Sequence, residues 1–235
     1  MFLLVLFTLF SDYPDWFYNP PENTVAVIIK DQYTVESRFL ELYIEANRLL
    51  KLEQDIFTVV GYEAYRESNH VQSRYDKFVI EYDFTDTTDV DYVDQLGYHL
   101  LEMKRYPKDV VIGLFGKPET AVTEGLEEDE YSEPDWLNEG SSNLFSIGFS
   151  SEVNYFKTSS WESAFKHALY QLTMNNNLLI YGDVDQRKYE TDRRIIDQRT
   201  DEQLNLVKYE FSGIRISHRF FDPTERVYYI KIETK

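Results

Sequence analysis

Pro14-Asp15-Trp16 returns as Pro134-Asp135-Trp136, 120 residues further on. This repetition constrains the fold more than any other feature, because the pattern downstream of each phrase is repeated as well. Behind each copy come an apolar run, a helix-like stretch, a long polar middle and two strand-like runs. The chain therefore reads as two units of roughly 100 residues in tandem, a size at which a domain can bury a core of its own.

In the first unit, Tyr13–Pro21 has three prolines and is expected to be an extended arm packed down by Trp16 and Phe17. Val25–Ile29 is a short β-branched run that predicts a buried strand. Thr34 fits a helix N-cap. Val35, Phe39, Leu42, Tyr43, Ala46, Leu49 and Leu50 follow at helical spacing, a stripe expected to lie on a sheet, with Glu41, Glu45 and Arg48 facing water. Phe57–Val60 and Asp76–Phe84 read as strands, with Gly61 allowing a bend. Tyr98–Arg105 and Val110–Phe115 read as a hairpin around Tyr106-Pro107-Lys108-Asp109.

In the second unit, Asn143–Phe149 matches the first strand, and Ser159 or Ser160 is the expected helix cap. A shift of 122 places Phe39 on Trp161, Leu42 on Ala164, Tyr43 on Phe165, Ala46 on Ala168 and Leu50 on Leu172. Leu178–Tyr181 continues as an apolar segment, and Asp183–Gln203 is strongly charged. Phe211–Phe220 alternates, with Ile214 and Ile216 on one face. Asp222-Pro223-Thr224-Glu225 is a turn, and Val227–Ile232 returns.

The fold class expected is α+β: two tandem repeats, each a helix on a small, mainly antiparallel sheet, in the order strand, helix, variable middle, hairpin. The expected boundaries are 12–118 and 134–235, joined by an acidic linker at 119–133. Residues 1–11 stand apart. Met1–Phe10, MFLLVLFTLF, is too short to span a bilayer as a helix. It reads either as the apolar core of a secretory signal whose basic start is missing from this sequence, or as a first buried strand or helix. In the signal reading the mature chain starts near Ser11.

Net charge is −18, divided as −15 over residues 1–131 and −3 over residues 132–235. Such a chain repels nucleic acid and anionic lipid. With no Cys, none of these residues can form a disulfide, a thiolate zinc site or a lipid attachment through sulfur.

The sequence points to no catalytic residue, cofactor or metal. His70, His99, His167 and His218 show no zinc-ligand spacing. No nucleophile elbow, phosphate loop or dinucleotide fingerprint is present. The acidic run at Glu124–Glu130 lacks the oxygen spacing of a calcium loop. The candidate binding residues are Trp16, Trp136, Asp15 and Asp135: the indoles as stacking platforms, the carboxylates as a matched pair. The simpler reading makes each Trp a core anchor and each Asp a local backbone partner beside proline.

Taken together, Pro134-Asp135-Trp136, Ser146-Ile147-Gly148, Ala164 with Ala168, Gly213-Ile214, and Asp222-Pro223 with Tyr228-Tyr229 resemble the LPP20-like domain of bacterial envelope lipoproteins and flagellum-associated outer-membrane proteins. The likeness covers nearly all of 134–235. In the first copy it rests on Pro14-Asp15-Trp16, Ala46 and the hairpin. It implies a non-catalytic protein, periplasmic or outer-membrane-associated, whose partners are other envelope or assembly proteins, with a motility or cell-surface context as an extension. Self-association into a homo-oligomer stays open. The chain departs from the lipoprotein members in having no Cys to lipidate. The alternative is a soluble ligand- or glycan-binding module with a cleft between the repeats; a hydrolase ranks third.

Overall fold

The computed structural model describes residues 13–32, 34–68, 74–85, 90–107, 109–120, 133–151, 157–176 and 200–235. Within 62–68, 74–79 and 200–207 it describes the backbone alone. Expectations for Met1–Phe10, for most of the acidic linker, for Leu178–Tyr181, for nearly all of Asp183–Gln203 and for His70 lie outside these residues.

The architecture is α+β, with small antiparallel sheets. A one-turn helix α1 (Asp15–Tyr18) precedes β1 (Thr24–Lys30), α2 (Val35–Gln54), β2 (Phe57–Ser68), β3 (Arg74–Phe84), a short α3 (Tyr92–Gln95), β4 (His99–Tyr106) and β5 (Val110–Gly116). The second half opens on a 3-10 turn, Asp135–Asn138. Then come β6 (Phe145–Ser151), α4 (Lys157–Asn176), β7 (Thr200–Phe211), β8 (Ile214–Asp222) and β9 (Val227–Thr234).

The lead-in expected to be extended contains a helical turn in its place. Pro14 and Pro20 flank the turn rather than interrupt it. The Pro14 carbonyl accepts the Phe17 N–H at 2.8 Å, and the Pro134 carbonyl accepts the Leu137 N–H at 3.1 Å. A proline at a helix start loses nothing, since its missing N–H would be unpaired there anyway.

One sheet runs β1-β5-β4, and another β6-β9-β8. In both, the strand before the helix lies at one edge and the last strand is central. β5 is buried along its whole length, as a central strand with covered faces requires. Both hairpins return through a non-glycine residue of positive φ, Asp109 and Arg226, each at 58°. Both carry a bulge five residue pairs from the turn: at Leu101, between Leu100 and Glu102, and at Ser217, between Ile216 and His218. A bulge shifts the alternation of side chains by one. Ile214 and Ile216 therefore share a face with Arg219 and Phe221, while His218 turns to the opposite face.

Helix and strand meet closely in the second half. Ser146 Oγ donates to the Ala168 carbonyl at 2.6 Å. A Cβ built on Gly148 would stand 2.2 Å from the Ala164 carbonyl oxygen. Gly148 pairs with Ile230 across the sheet, and Val27 pairs with Gly113 in the other half. The glycine of the pair sits on opposite strands in the two halves.

The helical stripe of the second half is as expected: Trp161, Ala164, Phe165, Ala168, Leu169 and Leu172 are all buried. The helix starts earlier than expected, however, so Ser159 and Ser160 lie in its first turn rather than capping it. On α2, Thr34 is the N-cap, its hydroxyl accepting the Ser37 N–H at 3.1 Å. Leu42, Ala46, Leu49 and Leu50 are buried, but Val35, Phe39 and Tyr43 are exposed. The helix is rotated so that Leu52 and Arg48 also face the rest of the protein, which turns the leading edge of the stripe outward. The run expected as one strand from Phe211 breaks at Gly213, with φ of 133°. The Gly213 backbone passes so near α2 that a Cβ there would lie 2.7 Å from the Glu53 carbonyl. Gly61 bends nothing; it pairs with both Ile80 and Val207.

The halves are not separately packed. β2 pairs with β3 on one side and with β7 of the second half on the other, giving a third sheet, β3-β2-β7. Phe57 pairs with both Phe84 and Phe211. The Phe17 ring stands edge-on to Trp161 at 5.5 Å. One apolar cluster includes Leu42, Phe115, Leu169 and Ile232.

Candidate functional site

Trp16 and Trp136 dock on matching places. Trp16 is 2% exposed, and its indole N–H donates to Glu102 Oε2 at 3.0 Å. Trp136 is 8% exposed, its ring 5.6 Å from that of His218. Glu102 and His218 are each the first residue after the bulge of their hairpin. The bulge re-aims both toward the tryptophan. Neither indole offers a bare face to solvent, and the two lie on different hairpins. Asp15 Oδ1 accepts from Asn19 Nδ2 at 2.9 Å, a bond within its own turn. Asp135 lies exposed in the first turn of its 3-10 segment. The four residues chosen from sequence thus fall into two local staples rather than one site.

His218 is half-buried, and its Nδ1 meets no hydrogen-bond partner among the described residues. Burial lowers its pKa, and the Lys231 ammonium lowers it further against the carboxylates of Glu233 and Glu139. Lys231 is itself buried, bonded to Glu139, with its Nζ 4.6 Å from the Phe145 ring centre. His167 holds the outer edge of β6. Its Nδ1 accepts the Phe149 N–H at 3.1 Å, which places any single ring proton on Nε2, next to Gln171.

The densest polar chemistry lies where the halves meet. Arg219 reaches out of β8 into the first half. It donates through Nη1 to the Phe17 carbonyl at 3.1 Å and through Nη2 to the Ala26 carbonyl at 2.8 Å. Its guanidinium lies 4.7 Å from the Phe17 ring centre. Nε has no partner among the described residues. Desolvation pushes the Arg219 pKa down to about 9, partly opposed by Glu45. It remains a buried cation at neutral pH, held by carbonyl dipoles and a ring face.

Arg48 of α2 forms the second link. It chelates Glu45 and donates to the Tyr82 hydroxyl at 2.6 Å and to Glu162 of α4 at 3.3 Å. Burial opposes its charge, but Glu45 and Glu162 outweigh burial and hold its pKa above the usual range. Tyr82 is pushed up by burial, against the pull of Arg48. Glu53 is also raised by burial, with Lys235 3.2 Å away pulling it back. Asp31 behaves oppositely: burial would raise it, but hydrogen bonds from Arg38 and Arg105 prevail and hold it low.

Beside Arg219 and Glu53 lies a cavity of about 10 Å³, lined also by Ala26, Leu49, Phe165 and Ile216 among others. That is room for a single water, well below the size of a sugar ring. Among the described residues no three His, Asp or Glu side chains gather as metal ligands. No helix among them is long and apolar enough to cross a membrane.

Sequence reading missed Arg219 and the role of Arg48. Simple alternation from Ile214 and Ile216 points Arg219 outward, and only the bulge reverses it. Arg48 sits four residues before Leu52 on a helix with two candidate faces; its charge argued for solvent. Comparison with protein-family models, with curated proteins and with solved structures gave no match.

Proposed function

We propose that this chain is a non-enzymatic protein of the bacterial cell envelope, periplasmic or outer-membrane-associated. It acts through protein–protein contacts in an assembly and is built from two LPP20-like units. A motility or cell-surface setting is the narrower form of this reading. The observation that carries it is the matched docking of Trp16 on Glu102 and Trp136 on His218, each just past a bulge at the same place in its hairpin.

The residues behind the resemblance also work together physically. Ser146 and Gly148 bracket Ala168 at one strand–helix crossing, and Ala164 lines the same crossing. Gly213 supplies the positive φ before β8. Asp222 Oδ1 accepts the N–H groups of Thr224 at 2.7 Å and Glu225 at 3.1 Å, fixing the Asp-Pro turn. Tyr228 lies buried against Trp161. These are roles in building a scaffold. The shifted groups Arg48, Arg219 and Glu53 are each tied into contacts between elements, as in a packed structural seam.

The test is fractionation of the native host with sequencing of the recovered N-terminus. Recovery from the envelope with a start near Ser11, together with a fixed set of co-purified envelope proteins, supports the proposal. An intact chain confined to the cytoplasm overturns it. Saturable thermal stabilisation by a glycan or small molecule would point to a binding module.

A further inference from the structure

Among the described residues, helix α2 is covered on its outward side for only half its length. Toward its C-terminal end α3 lies across it. Asn47 Nδ2 donates to the Val90 carbonyl at 3.2 Å, Asn47 Oδ1 accepts the Tyr92 N–H at 2.7 Å, and the Tyr92 hydroxyl bonds Asp55. Toward the N-terminal end the same side carries Phe39, Leu40, Tyr43 and Ile44, exposed by 37%, 61%, 36% and 53%. They form two adjacent i, i+4 rows, the pattern by which one helix meets another. Single exposed apolar residues are ordinary; four contiguous ones on one helix mark an interaction surface.

The other long helix shows what happens to these positions when they are covered. The residues 122 later are Trp161, Glu162, Phe165 and Lys166. Trp161 is buried under Phe17, and Phe165 packs edge-on to Tyr82 at 6.4 Å. The remaining two positions are charged. The second half thus covers its aromatic pair and places charge beside it. In the first half Tyr43 rests edge-on against Phe115, ring centres 5.0 Å apart, but it and Phe39 still keep about a third of their surface exposed, and Leu40 and Ile44 extend that surface.

The exposed charges at the two ends of the open face are acidic, while Lys51, two turns beyond Ile44, lies over the Phe84 ring at 4.8 Å. Glu36 lies one turn before Phe39 and Leu40, and Glu41 lies one turn before Ile44; Asp91 and Asp94 of α3 stand at the far end. All four are exposed. The two arginines of this stretch turn away, Arg38 to Asp31 and Arg48 to Glu45, Tyr82 and Glu162. In sequence, residues 1–131 carry a net charge of −15. We propose that this face of α2 is the docking site for a basic amphipathic helix of another protein. Acid-rimmed apolar floors complement such a helix in both pattern and sign. A second copy, itself at −18, and an anionic lipid surface both meet repulsion.

The proposal deepens the assembly reading by naming the surface and the partner's chemistry, yet its test needs only the isolated chain. Failure of peptide binding leaves the envelope reading standing, and failure of fractionation leaves the binding standing. The probe is a designed leucine–lysine amphipathic peptide of about four helical turns. A scramble of the same composition and a leucine–glutamate peptide of the same pattern are the controls. The leucine–lysine peptide should bind saturably, more weakly at high salt, and Leu40→Ser/Ile44→Ser should reduce affinity by about tenfold or more. Both side chains are exposed, so urea unfolding of the double variant should match that of the parent. Glu36→Gln/Glu41→Gln should slow association. The proposal is overturned by absent binding, by equal binding of the scramble or by an unaffected double variant. It is likewise overturned by a sedimenting dimer that Leu40→Ser abolishes, or by preferential binding to anionic vesicles.

Discussion

Gly148 of β6 lies directly beneath Ala168 of α4, so close that a Cβ on it would stand 2.1 Å from the Ala168 backbone nitrogen. The obstacle is helix backbone, which cannot rotate aside. Gly148→Ala must therefore push α4 off its sheet and is expected to cost about 3 kcal/mol or more in urea denaturation. Gly113→Ala is the control. A Cβ there meets side-chain carbons, of Leu100 and Leu42 at 3.1 Å and of Val27 at 3.3 Å. These can shift by tenths of an ångström, and the expected cost is about 1 kcal/mol.

Arg219 spans the halves through two backbone carbonyls. Arg219→Ala removes a charged donor from both and leaves them buried, so a loss of about 3 kcal/mol is expected. Arg219→Lys should not restore it, because an ammonium cannot reproduce the planar fork that reaches Phe17 and Ala26 together. Equilibrium unfolding of both variants checks this; full rescue by lysine would contradict the fork geometry.

Trp16→Ala and Trp136→Ala each empty a buried indole site, at an expected cost of about 3–5 kcal/mol. Because Phe17 packs on Trp161 and β2 pairs with β7, either variant should lower one cooperative transition for the whole chain. Calorimetry separates this outcome from two independent transitions, of which only one would move.

His218 supplies a pH dependence of definite sign. Its folded pKa lies below the ordinary 6.5, so the folded state resists a proton that the unfolded chain accepts. The stability it contributes is present above about pH 6.5 and is lost as pH falls through the folded pKa. His218→Phe should flatten the stability profile in that window. Glu53 acts with the opposite sign. Its raised pKa means stability is lost as pH rises from the ordinary carboxyl value through the folded one, so the difference between parent and His218→Phe isolates the histidine.

Much of the local structure was legible in the chain. Alternation marked Asp76–Phe84 and Val227–Ile232, and the turn residues at Pro107 and Pro223 placed both hairpins. All six residues read into the α4 stripe are buried, and Tyr170 and Thr173 join them. The α2 stripe was legible only in part, because its apolar positions cover more than half the helix circumference and only packing against β1, β5 and β8 selects which part turns inward. Arg219 was hidden for a related reason: one bulged residue at Ser217 reverses the alternation on which such readings depend. The phrase around Trp16 and Trp136 identified two anchors, but not Glu102 and His218, the groups each anchor rests on.

The sequence alone marked the two long helices, most of the strands and the two tryptophans that act as anchors, but not the short helices α1 and α3 or the strand β7. Period and turn chemistry are local, so they survive without the fold. Tertiary structure decided that the halves share one core. Phe57 meets Phe211 and Arg219 meets Phe17 only after the chain has closed across well over a hundred residues. No local pattern encodes such a pairing, because its energy comes from burial and hydrogen bonds that exist only once both halves are in place.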